Sequence, residues 1–196
     1  FSAASLGLLT SVYFISFASF QLPLGLLLDR FGPRRTESVL LIFASLGALI
    51  FSMAESLSGL ILGRLLIGFG VSACLMASFK AFVLWFPPDR LPLMNGLQMV
   101  AGGLGAMSAT VPLRTALEFT DWRGVFLILS GLTLFSALVL WLVYPEKDGS
   151  TGPVPMKKQL EGLKTVLTSS PFLAIAPLVM FSQSAQMAIQ GLWAKP

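Results

Sequence analysis

The chain has 196 residues, of which 55% are hydrophobic and 11% charged, with a formal net charge of +4. A soluble domain carries about 25% charged residues, so a water-facing globule is excluded, and +4 without a basic face interleaved with aromatics points to no nucleic-acid partner. Cys74 is the one cysteine and there is no histidine; this excludes an intrachain disulfide and removes the usual metal-ligand and imidazole sets, so no metal or other cofactor is expected.

Apolar runs fall at residues 6–28, 38–54, 57–79, 94–113, 124–144 and 172–193. A helix needs roughly 20 apolar residues to cross a bilayer, so the chain reads as an all-α polytopic membrane protein with six transmembrane helices. The polar breaks, at 29–35, 55–56, 87–90, 114–123 and 145–171, are mostly short, which predicts antiparallel neighbours. Nine of the thirteen Lys and Arg residues lie in alternate breaks: Arg30, Arg34, Arg35, Lys80, Arg90, Lys147, Lys157, Lys158 and Lys164. Basic residues concentrate in short cytoplasmic loops, so the first segment is expected to run from outside to inside, with one more helix upstream in a chain that starts in the cytoplasm. Phe1 opens the sequence and no leader pattern follows it, so both ends are expected to be truncations.

The first segment carries Tyr13 and Gln21, polar residues that could face a solute path. It ends in Gly25-Leu26-Leu27-Leu28-Asp29-Arg30-Phe31-Gly32-Pro33-Arg34-Arg35. Gly25 removes a side chain one turn before the membrane exit, where a neighbouring helix could approach, and Gly32 supplies the backbone freedom that a tight reversal needs. Asp29 can accept from Arg30, Arg34 or Arg35, or face the positive end of a nearby helix. A glycine, three residues, Asp, a basic residue, any residue, Gly, any residue and a basic pair resembles the signature loop of the major facilitator superfamily, and every fixed position is matched. The resemblance implies a twelve-helix transporter of which this chain holds helices two to seven. It also implies that Gly25, Asp29, Arg30, Gly32, Arg34 and Arg35 form a conformational latch between the two halves. The plainer alternative is that the arginines anchor topology, at about 1 kcal/mol each near anionic lipid.

Gly63-Arg64-Leu65-Leu66-Ile67-Gly68-Phe69-Gly70 resembles the family's second motif, an arginine on its fourth helix. Arg within a span costs about 2.5 kcal/mol or more. At about 1.5 Å per residue Arg64 lies on the order of 10 Å in, either facing a central cavity as a coupling group or snorkelling outward. In the fourth segment Gly102 and Gly105 belong to a stripe of small residues suited to helix packing, Gln98 is a polar path candidate, and Pro112 stands near the outer end. This only partly resembles the family's antiporter motif, because Val111 precedes the proline, and no antiport is read from it. Asp121-Trp122-Arg123-Gly124 resembles the start of the family's sixth helix.

The connector opens with a solvated, flexible composition at 146–153. Met156, Leu160, Leu163, Val166 and Leu167 then recur at helical spacing among Lys157, Lys158, Glu161 and Lys164, which predicts an amphipathic helix on the membrane surface or an ordinary linker helix. In the last segment Gln183, Gln186 and Gln190 share one helix face and should meet a water-filled path or another helix, because amides facing lipid are costly.

The expected organisation is a helical bundle at 1–144, a cytoplasmic linker at 145–170 and the first helix of a second bundle at 171–196. The function expected from the resemblance is secondary active transport of a small-molecule solute by alternating access, by symport or antiport with protons or another ion, in a plasma (bacterial inner) membrane. Its partners would be the lipid bilayer and the rest of the same polypeptide. No phosphate-cradling loop is present, and the acidic residues lie near helix ends rather than converging at depth, so an enzyme is not expected. A transporter-like receptor or assembly protein is the alternative. Nitrate is disfavoured as solute because no arginine interrupts residues 6–28.

Overall fold

A computed structural model describes residues 3–145 and 156–193, and every regular element among them is helical. The helices are α1 (Ala3–Met53), α2 (Leu57–Val71), α3 (Cys74–Trp85), α4 (Leu91–Ser108), α5 (Val111–Phe119), α6 (Trp122–Val143), α7 (Met156–Leu167) and α8 (Ser170–Trp193). A 3-10 turn, Pro88–Arg90, precedes α4. Contacts divide the chain into two units, Phe1–Gly152 and Pro153–Pro196.

The first two apolar runs form the two arms of α1, which bends at Gly32 with φ 75° and ψ 168°. That backbone region is open only to glycine, so the residue foreseen for a reversal is the one that makes it. Across the bend Thr36 Oγ1 donates to the Leu27 carbonyl at 3.2 Å, and Leu24 and Leu28 pack on Leu40 with Ala73 and Ala77. At the opposite end of the arms, Ser56 caps α2 by accepting from Gly59 N at 3.3 Å. Asp121 caps α6 by accepting from Gly124 N at 2.8 Å.

Glycines set the closest approach. A Cβ on Gly70 would lie 2.3 Å from Ala44 N, and one on Gly63 2.8 Å from Phe51 Cβ, distances no side chain tolerates, so α2 lies directly on the second arm of α1. Ser45 and Ser130, both buried, exchange hydroxyl-to-carbonyl bonds of 2.8 Å between α1 and α6. Outward, Leu127, Ile128, Phe135 and Leu142 of α6 are exposed, as a lipid-facing surface requires. By length and composition Pro23–Met53, Leu57–Trp85 and Trp122–Val143 can cross a membrane, and Ser5–Gln21 and Ser170–Ala185 are shorter apolar helices.

Two boundaries differ from the sequence expectation. The third run continues to Trp85 through a short break at Ser72 and Ala73, where Ser72 Oγ bonds the Phe69 carbonyl at 2.7 Å. The fourth run does not reach 113 as one helix. Pro112 has no N–H to continue α4 and is instead accommodated in the first turn of α5, so residues 114–119, expected in a polar break, are helical. The amphipathic stretch folds as α7; the preceding residues 146–155, including Lys147, and the side chains of Lys157, Lys158, Leu160 and Leu163 lie outside the described residues.

Candidate functional site

The bend carries the motif residues to the end of the bundle where α3 and the last turn of α6 also arrive. Lys80 of α3 forms an ion pair with Asp29. Arg34 donates from Nε to the Trp141 carbonyl at 3.0 Å and from Nη2 to the same oxygen, with its guanidinium 5.6 Å from the Trp141 ring centre. A cation from one helix therefore sits on a carbonyl in the last turn of another, where the helix dipole favours positive charge. Beside it Trp85 meets Tyr144 edge-on at 6.1 Å. Arg30 lies over the Phe31 ring at 5.3 Å, and Arg35 is exposed.

Lys80 and Trp141 were not foreseen as partners of the motif. Lys80 had one signal, being the single charge between Arg64 and Asp89. Trp141 had none, because it contributes a main-chain oxygen. Among the described residues a Cβ on Gly25 would meet nothing within 4 Å, and the same holds at Gly102 and Gly105. Among the described residues the close helix contacts run through Gly47, Gly63, Gly68 and Gly70 instead, because these stand where α2 crosses the arms of α1.

Arg64 is half-buried. Its guanidinium sits 4.8 Å from the Phe51 ring centre and 5.6 Å from that of Phe126, between α1 and α6, and its Nε is buried without a hydrogen-bond partner among the described residues. Two aromatic faces thus replace part of the hydration the cation loses. Gln21 Nε2 donates to the Ser72 carbonyl at 3.2 Å, so it closes the α2–α3 break across a helix interface. Tyr13 is half-buried where α1 crosses α2, its carbonyl against Gly68. Gln98 lines a cavity of about 210 Å³ together with Arg34, Glu37, Ser78 and Tyr144. Gln183 is exposed on α8, and the side chains of Gln186 and Gln190 lie outside the described residues.

The sequence profile described as Major Facilitator Superfamily matches residues 1–194. The chain is 29% identical over 147 residues to the uncharacterized transporter YybO of Bacillus subtilis (strain 168), a match covering 75% of this chain and 34% of that protein. It is 28% identical over 163 residues to the nitrate/nitrite transporter NrtP of Nostoc punctiforme, covering 79% and 32%. It is 27% identical over 147 residues to the probable L-galactonate transporter of Escherichia coli (strain K12), covering 75% and 32%. The chain therefore spans about a third of the length of these curated relatives.

Proposed function

The chain belongs to the major facilitator superfamily, and from that premise we propose that it is the part of a secondary active transporter that carries the conformational latch. As an integral membrane protein it would work by alternating access, with the bend at Gly32 on the cytoplasmic face of a bacterial inner membrane. The organisation follows: a first bundle to residue 144, a cytoplasmic linker at 145–170 with α7 on the membrane surface, and α8 opening a second bundle whose remaining helices belong to the rest of the polypeptide.

The observation that carries the latch is the joint attachment of the motif, Asp29 to Lys80 on α3 and Arg34 to the Trp141 carbonyl on α6. Ties of this kind, made between helix ends and half open to water, can be broken and remade at a cost that thermal motion and a bound solute can supply. Gln98, and Gln183 with Gln186 and Gln190 on α8, are the polar residues proposed to meet the solute, and Arg64 is the proposed coupling group.

Two of the named relatives are a nitrate/nitrite transporter and a probable L-galactonate transporter, which makes a small anion the solute class to try first. Nitrate itself stays disfavoured, because the first arm of α1 carries no arginine between residues 6 and 28. Ion or proton coupling is part of the same proposal. The test is uptake and efflux by the full-length protein in proteoliposomes against a panel of small anions, with and without a pH gradient. Flux of at least one anion that responds to the gradient is expected; no flux of any would overturn the proposal in favour of a transporter-like receptor.

A further inference from the structure

The cavity beside the motif contains a carboxylate that the latch does not use. Glu37, at the start of the second arm of α1, is 8% exposed and lines the cavity with Ser78, Gln98 and Tyr144. Its carboxyl group faces the Cys74 thiol of α3. Its Oε2 is buried with no hydrogen-bond partner among the described residues. An ionised carboxylate has room for about four donors, and a thiol is a weak one, so this oxygen is under-served for a charged group.

The charged and titratable groups around it are few. Arg34 lies three residues back on the same helix, Cys74 comes from α3, and Tyr144 follows α6; α4 contributes the neutral Gln98. Arg34 and Glu37 are one turn apart on one face, yet Arg34 is turned to the Trp141 carbonyl. A metal cation would meet the Arg34 guanidinium in the same wall. A proton needs no shell of oxygens, and a cavity of about 210 Å³ whose lining includes Ser78, Gln98 and Tyr144 is roomy enough for waters to deliver it.

We propose that Glu37 is a proton-binding site, reached through this cavity from the side of the membrane where the bend lies, and that its charge sets the hold of Arg34 on Trp141. The proton passes from a cavity water to Oε2, turning the carboxylate into a neutral acid, and returns to water when the site ionises. Ionised Glu37 competes with the Trp141 carbonyl for Arg34; neutral Glu37 leaves Arg34 where the structure has it. The role in transport rests on the ion coupling proposed above, whereas the site itself does not.

Infrared difference spectra of the purified full-length transporter in lipid nanodiscs, titrated from acid to alkaline pH, test it. A protonated-carboxyl C=O band that disappears on alkalinisation is expected, and E37Q should lose it. Identical spectra from the wild type and E37Q would overturn the site. Should E37Q fail to fold, C74A keeps the carboxyl and removes the thiol beside it: the band should then shift in frequency, and an unmoved band would overturn the proposal equally. Solute flux that ignores a pH gradient, with the band assigned to Glu37, would overturn the coupling proposed above and leave the proton site standing.

Discussion

Asp29 and Lys80 are 51 residues apart in the chain and keep 50% and 27% of their side-chain surface in contact with solvent. An ion pair so exposed contributes about 0–1 kcal/mol to folding. Asp29→Asn is therefore expected to leave the thermal unfolding midpoint of the full-length protein almost unchanged, a result that separates a conformational role from a structural one. Arg64 differs, because it is held by two aromatic faces rather than by water. Phe51→Leu or Phe126→Leu removes one face, worth about 0.5–2 kcal/mol at a partly desolvated site, and should lower the midpoint where Asp29→Asn does not. The motif spacing and the need for glycine at position 32 were legible in the sequence, because both are local. The pairing with Lys80 was not, because no pattern along the chain says which turn of α3 will face the bend, and the aromatic neighbours of Arg64 were not foreseen either.

At the scale of the helices, the contact between α1 and α2 is set by absent side chains. Gly70→Val would put its Cβ 2.3 Å from the Ala44 nitrogen, a backbone atom that cannot move aside, and should abolish accumulation of folded protein in the membrane. Gly102→Ala meets open space and should be tolerated, with normal yield on size-exclusion chromatography. The serine exchange between α1 and α6 is smaller in effect: Ser130→Ala loses bonds of a kind that average about 0.6 kcal/mol within membranes, and denaturant unfolding should show a loss of that order. The apolar runs predicted the helices well because lipid imposes their length. The stripe at Gly102 and Gly105 meets no neighbour among the described residues, because small residues permit close packing without requiring it. The break before α5 was missed because its cause, Pro112, was counted as the end of a span rather than as the first turn of the next helix.

For the whole molecule, the bend, α3 and the last turn of α6 meet at one end, and the Ser56 and Asp121 caps mark the other. The antiparallel order that places them so follows from short connections. Composition was enough to foresee an all-helical polytopic chain, and the family followed from residues 25–35. The chain matches about a third of its relatives' length, so the claim that can be tested most directly is that its motif governs a transport cycle. The measurement is the initial flux of solute by the full-length protein in proteoliposomes, wild type against Asp29→Asn, at matched protein density. A loss of roughly tenfold or more, the scale of a 1–3 kcal/mol conformational coupling, is predicted with the unfolding midpoint unchanged; wild-type flux from Asp29→Asn would contradict the account.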